Sequence, residues 1–280
     1  MSGNIFLCSF ASPDLFISKR RFLNQAKSMN FYKAIKVYSF NDLLEGTKKK
    51  IDKYLILKER RGYGFWIWKP EIILDALINI PDGSILQYSD LGCHINSGGL
   101  ERLKEYMNIC TKKNMITFQY FEPKNKKKDL IYPDNIEYKY TKSDLMNFFK
   151  LNHKSIHMNS PQIISGNLFI KKNKENIEFI KNWLKIFDNM SLIDNSPSVS
   201  KNHIEFIEHR HDQSALSLLC KLNNIFSLSV YDHCEWALDE NGRNWIHLTA
   251  SPVQARRDLK YISFYALKKN INKIFKRTKK

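Results

Sequence analysis

The strongest constraint on this chain is an alternation. Short apolar runs that suit strands trade places with longer segments whose apolar residues recur every three or four positions. "NIFLCSF" (4–10) reads as a buried first strand, and "DLFISKRRFLNQAKSMN" (14–30) as a helix. "AIKVYSF" (34–40) alternates like a strand, and "NDLL" starts a helix with Asn41 as its cap. "PEIILDALINI" (70–80) is a helix with Pro70 in its first turn, where a missing N–H costs nothing. Further strands are expected within 83–96, 114–121, 161–173 and 225–230, and further helices at 98–110, 143–151, 174–187 and 212–222. Such an order predicts α/β layers around a mostly parallel central sheet flanked by helices. Ligands of these sheets bind beyond the C-terminal ends of strands, near a switch in strand order.

One strand meets that rule with an acid. In "GSILQYSDLGCHIN" (83–96) an apolar run ends at Asp90, with Gly92 two residues on. An Asp after a strand often only shapes a turn or caps a helix. Gly92 leaves room for a ligand to approach the backbone.

Four other stretches carry candidate chemistry. In "RRGYGFWIWKP" (60–70), Lys69 precedes the helix-starting proline, where a cation can face anionic groups at the helix N-terminus. Tyr63 or a tryptophan can stack on a base or sugar, whereas Phe65 reads as a core plug. "PQIISGNLFIKKN" (161–173) breaks at Ser165-Gly166, either as a bulge or for close ligand approach, and Asn167 suits sugar hydroxyls. "EHRHDQSALSLL" (208–219) crowds polar residues at a helix start, with Asp212 a catalytic group or merely an N-cap. The spacing of His203, His209 and His211 matches no common zinc pattern. His247, in "RNWIHLTASPVQARRD" (243–258), matters only if it returns to Asp90.

The order of these units resembles the GT-A glycosyltransferases, in particular small bacterial sugar transferases of capsular and lipopolysaccharide loci and, more distantly, glycogenin-like enzymes. The matching elements are Asn4–Phe10, Lys69, Tyr88-Ser89-Asp90, Ser165-Gly166-Asn167, Asp212-Gln213 and His247, spread over roughly residues 3–250. The resemblance implies a Rossmann-like GT-A domain over 1–255. It implies a nucleotide-sugar donor held by Tyr63, Lys69, Tyr88, Ser89, Asp90, Gly92, Ser165, Gly166 and Asn167. Asp212 would contact the acceptor or act as general base, with Gln213 beside the reacting sugar. The acceptor would be a glycan, free or lipid-linked, in surface polysaccharide synthesis. The family's Asp-x-Asp motif is reduced here to Asp90-Leu91-Gly92. A Mn²⁺ or Mg²⁺ ion would then rest on Asp90, His247 and the diphosphate, the remaining oxygens coming from water. The alternative is a metal-independent site using Lys69, Arg60 or Arg61.

Charge distinguishes the end of the chain. The net charge is +17, and residues 256–280 hold ten Lys/Arg against the single acid Asp258, a net +9. Phe264, Leu267, Ile271, Ile274 and Phe275 share one helical face with lysines around it. This tail is expected to be a basic amphipathic helix lying on an anionic membrane, or else docked on the domain itself. A nucleic-acid-binding protein would explain the basic tail but not Asp90, Asp212 or the α/β alternation, so nucleic acid is not expected as a partner. A nucleotidyl or phosphoryl transferase would also place acid at a strand end, but no Walker-type lysine loop is present. Five cysteines without a CxxC pair point to reduced thiols. With no signal-peptide pattern and no apolar run long enough to span a bilayer, the expectation is a cytoplasmic protein, peripheral on the inner face of the membrane.

Overall fold

The computed structural model describes residues 4–124 and 126–256. The basic tail beyond Arg256, with its expected amphipathic helix, lies outside the described residues. The strands are β1 (Ile5–Phe10), β2 (Ala34–Tyr38), β3 (Ile85–Ser89), β4 (His94–Ile95), β5 (Met115–Gln119), β6 (Asn167–Lys171), β7 (Ser227–Ser229), β8 (Ala237–Asp239), β9 (Gly242–Asn244) and β10 (Val253–Gln254). The helices are α1 (Phe16–Ser28), α2 (Glu45–Ile56), the single turn α3 (Gly62–Phe65), α4 (Trp68–Asn79), α5 (Leu100–Lys113), α6 (Glu137–Tyr140), α7 (Ser143–Phe148), α8 (Lys174–Ile186), α9 (His211–Leu222) and α10 (Val230–His233).

Six strands form the central sheet, in the order β2-β1-β3-β6-β5-β7. The pairs β1–β2, β1–β3 and β5–β7 are parallel, and β6 runs against both neighbours. The chain moves from β1 to one side for β2 and to the other for β3. Their C-terminal ends therefore flank the switch point where α/β sheets form a crevice. Alternate residues of each strand supply opposite faces. Cys8, Leu86, Tyr88, Leu168 and Ile170 join the core under α2, α4, α8 and α9. Leu7, Ile85 and Phe169 join the core under α1 and α5. β3 is buried on both faces over its whole length, as a central strand covered by helices on either side should be.

Asn41 does not cap the second helix. Ser39 and Asp42 form a reciprocal capping box around a short 3₁₀ turn, Phe40–Asp42. The start of α2 is instead held by Glu71 of α4, which accepts from the Leu44 amide at 2.6 Å and from the Thr47 hydroxyl. A cap borrowed from another helix leaves no local signature. The expected strand over 161–173 does break at Ser165-Gly166. Residues before the break make only isolated bridges, and regular pairing begins at Asn167.

Candidate active site

Residues from β3, β6, α4 and α9 converge at the crevice. Asp90 follows β3 on the same face as Tyr88, whose hydroxyl donates to Asp90 Oδ1 at 2.5 Å. The Asp90 amide donates to the Gly166 carbonyl at 2.8 Å, which ties the two strand ends together. A side chain on Gly166 would sit 3.0 Å from Asp90 Oδ2, so glycine there is a matter of close approach.

Lys69 comes up from α4 and is wholly buried. Its Nζ lies 2.7 Å from Asp212 Oδ2 and 3.2 Å from Asp90 Oδ1. It also donates to Ser165 Oγ at 3.1 Å, and the rings of Trp66, Trp68 and Tyr88 surround it at 5.4–5.9 Å. Burial works against the ammonium, but Asp212 and Asp90 outweigh it and lift the Lys69 pKa above its ordinary value. Burial pushes the Asp212 carboxyl up, only partly countered by Lys69 and by the Ser165 hydroxyl donating at 2.6 Å. The Tyr88 hydroxyl is driven far up by burial and then by Asp90, so it remains a donor. The cluster thus holds two carboxylates against one ammonium, a formal net charge of −1. Asp90 is its opening, with 37% of its side chain exposed.

The segment before α4 takes an unusual path. Gly62, Tyr63, Gly64, Phe65 and Trp66 all have φ between +52° and +87°. Amides of Phe65 and Trp66 donate to carbonyls four residues back, so this is one turn of left-handed helix. Non-glycine residues pay roughly 1–2 kcal/mol each for that conformation. Phe65 is buried in the core, and Trp66 stacks on His211, their ring centroids 5.6 Å apart. His211 is itself left-handed, with φ +51°. Two strained points therefore lean on each other, and each delivers one partner of the Lys69–Asp212 pair. Such conformations gather where a site has to be held in place.

The other sequence-derived candidates fall as follows. Ser89 donates to Asn167 Oδ1 at 2.9 Å, and both are buried; Asn167 Nδ2 is buried without a hydrogen-bond partner. Tyr63 is half-buried against Phe10 and Phe40, at the ends of β1 and β2. Gly92 sits in the turn closed by the Cys93 amide on the Asp90 carbonyl. Gln213 lies beside Asp212 and donates to Gln162 at 2.7 Å. Asp212 is not an N-cap: Arg210 holds that position, and the Asp212 side chain turns inward to Lys69 and Ser165. Lys69 does not face the crevice, and any effect it has on a ligand passes through the carboxylates it holds.

His247 does not return to Asp90. Its Nε2 bonds the Glu235 carbonyl at 3.2 Å, and its ring is edge-on to Tyr132. The expected Asp90–His247 metal pair is not assembled, and among the described residues no three His, Cys, Asp or Glu side chains are grouped to hold an ion. Among the described residues Asp90 Oδ2 makes no hydrogen bond, so the half-exposed carboxylate of Asp90 is what the site offers a hard cation at its opening.

Reading the sequence overlooked Arg21. This buried α1 side chain donates to the carbonyls of Leu91 (2.7 Å) and Cys93, on either side of Gly92. Gln25, one helical turn on, accepts from Arg21 and from the Ile95 amide. Together they fix the loop that carries Asp90. The available signal was an arginine beside Phe22 on the helix's buried face.

A similar arrangement of sheet and helices occurs in a solved structure. The fold is GT-A-like. A glycosyltransferase involved in the glycosylation of the major capsid of PBCV-1 superposes with TM-score 0.50 at 12% identity, over 95% of this chain and 98% of that one. The galactosyltransferase LgtC, solved with donor and acceptor sugar analogues, gives TM-score 0.43 at 10% identity over 89% and 86%. Mouse xyloside xylosyltransferase 1 gives 0.40 at 10% over 83% and 87%. No protein-family model and no curated protein sequence matches the chain.

Proposed function

We propose that this protein is a glycosyltransferase, of hexosyltransferase type, moving a sugar from a nucleotide-diphosphate sugar to a hydroxyl of a glycan acceptor. The observation that carries the reading is the Lys69–Asp90–Asp212–Ser165 cluster at the C-terminal end of β3. It stands at the switch point of a fold shared with a solved glycosyltransferase. A structural ion pair has no need of a second carboxylate, still less of one held open to solvent by a glycine and a tyrosine.

In this reading Asp90 meets the donor's ribose or diphosphate. Asp212 makes no hydrogen bond through Oδ1 among the described residues, and burial has made it more basic than an ordinary aspartate. It orients or deprotonates the acceptor hydroxyl, with Gln213 alongside. Lys69 keeps both carboxylates in register and compensates much of their charge. The residual −1 would repel a diphosphate, so Asp90 would be the residue to hold a Mn²⁺ or Mg²⁺ ion, whose charge would offset that repulsion. When bound, such an ion neutralises charge on the leaving group. The basic tail would hold the enzyme on the cytoplasmic face of a membrane carrying a lipid-linked acceptor in surface polysaccharide synthesis. Removing residues 259–280 should end binding to anionic vesicles and spare donor hydrolysis.

The deciding experiment is a nucleotide-sugar panel, read as hydrolysis and as protection against melting, with and without Mn²⁺. At least one donor should raise the melting temperature and be hydrolysed slowly, and Asp90→Asn should abolish both. A panel without any response would overturn the reading.

A further inference from the structure

A second cleft, of about 240 Å³, opens between segments that lead into the cluster. That is below the ~300 Å³ at which sites for drug-sized ligands begin, and closer to the scale of a single ring. Its walls include Arg61, Lys142, Asp194, Asn202, Phe206 and Glu208. The charges cancel in pairs: Arg61 with Glu208 at 3.0 Å and Lys142 with Asp194 at 3.9 Å. Lys142 Nζ is further committed to the carbonyls of Asp194 (3.1 Å) and Ser196 (3.4 Å). No surplus cation is left for a phosphate or carboxylate, and no surplus anion for an amine.

What remains free is neutral hydrogen-bonding capacity. Asn202 Oδ1 is occupied by the Ser143 amide and the Ser198 hydroxyl, which leaves its Nδ2 as a donor. Arg61 is exposed and uses Nη2 on Glu208, leaving its other N–H groups. Half-buried Phe206 adds one aromatic surface. Amide and guanidinium donors beside the Phe206 ring, with the buried His209 imidazole in the same wall, suit a polyhydroxylated ring with one apolar face.

The cleft is coupled to the cluster through the chain. Arg61 immediately precedes the left-handed turn that leads to Lys69, and Glu208 is four residues before Asp212. Four residues span at most about 14 Å. Two of the segments that wall the cleft are the ones that deliver the Lys69–Asp212 pair.

We infer that this cleft binds a neutral sugar ring of the acceptor glycan, removed from the reacting hydroxyl. The assignment rests on the glycosyl-transfer reading above. It is tested with the full chain by saturation-transfer NMR and calorimetry, using lactose, maltose, cellobiose and N,N′-diacetylchitobiose. At least one should bind, and Phe206→Ala should weaken it roughly fivefold or more. Arg61→Gln should weaken it too, and inorganic phosphate should not compete. Saccharide binding unchanged in both variants, displacement by phosphate, or no binding by any of the four would overturn the assignment. The two readings fail separately. Donor protection without saccharide binding sinks the cleft alone. Saccharide binding that Phe206→Ala removes, with no donor response in the wild type, supports the cleft and sinks transfer.

Discussion

Helix α9 holds one buried lysine of its own near one end, Lys221, and meets another at its other end, Lys69 of α4, and the two serve opposite purposes. Near its C-terminal end Lys221 pairs with Glu137 at 2.8 Å. Glu137 also accepts from Thr141, Gln162 and Ser217, and Lys221 donates to the carbonyls of His157 and Ser160. One cation meets one anion, and every valence is used. At the N-terminal end Lys69 meets two carboxylates, one of them open to solvent. Burial pulls the Lys221 pKa down even with Glu137 beside it, whereas at Lys69 two aspartates reverse that effect. A closed, balanced pair holds a fold together. An open, unbalanced one has chemistry left over for a ligand.

Removing Lys69 should do the most damage. Lys69→Met leaves two carboxylates facing each other, and breaking a buried pair costs about 3–5 kcal/mol. Turnover should fall by at least ~10³-fold. Because that variant could fail by unfolding, Asp212→Asn is its control: it keeps the shape and should still lose turnover while donor affinity holds. Donor assays beside thermal melts check both. A folded Lys69→Met protein with full turnover would erase the functional side of the comparison.

Lys221→Met should be as costly to stability, about 3–5 kcal/mol. It should leave turnover per folded molecule unchanged, measured well below the melting point. A fall in turnover matching that of Asp212→Asn would show that the two regions are not separate.

These two lysines also mark what the sequence could reveal. Asp90 was legible because strand alternation and the following glycine place it at a strand end. The break before Asn167 was legible because Ser-Gly interrupts an apolar run. The inward turn of Lys69 was missed, although a lysine embedded in "WIWKPEII" is itself a signal of a buried, paired cation. Arg21 and His247 both bond backbone carbonyls, and carbonyls have no residue code to search for. The left-handed turn at Gly62–Trp66 runs against the preferences of Tyr, Phe and Trp, so only tertiary packing could reveal it.

Acid should separate the regions again. His209 and His211 flank the open cluster, bonded to the carbonyls of Leu192 and Ile193. Burial drives His209 well down, and burial takes His211 to about 4, with Arg61 and Lys142 adding to it and Glu208 opposing. A depressed folded pKa gives stability that is complete above the unfolded value near 6.5 and is lost as pH falls toward 4. For His211 the loss between pH 7 and pH 5 is roughly 2 kcal/mol. Asp212, raised by burial, contributes with the opposite sign: its share of stability is present at acid pH and is lost as pH rises through its folded pKa. Denaturant melts at pH 7 and pH 5 read the difference. His211→Asn, which tolerates the left-handed backbone, should flatten it by about that amount. No pH dependence in the wild type across this window would mean that these histidines are not held neutral.

The smallest change sharpens the comparison most. Gly166→Ala adds one methyl group 3.0 Å from Asp90 Oδ2 and 3.5 Å from its Cγ. Gly166 is absent from the left-handed glycines, so alanine brings no backbone strain there. The carboxylate must shift by a few tenths of an ångström, away from its line to Tyr88 and Lys69. Misplacing a reacting group by about 1 Å can cost 10²-fold, so a smaller displacement should cost turnover about tenfold, with stability changed by less than ~1 kcal/mol. Ser217→Ala is the matching change in the closed network. It leaves a Glu137 oxygen short of one donor, which should cost roughly 1–3 kcal/mol of stability and no turnover. Opposite signatures from two one-atom changes would show that the open cluster is tuned for placement and the closed one for stability. Equal turnover in Gly166→Ala and wild type would mean that the position of Asp90 does not govern the reaction.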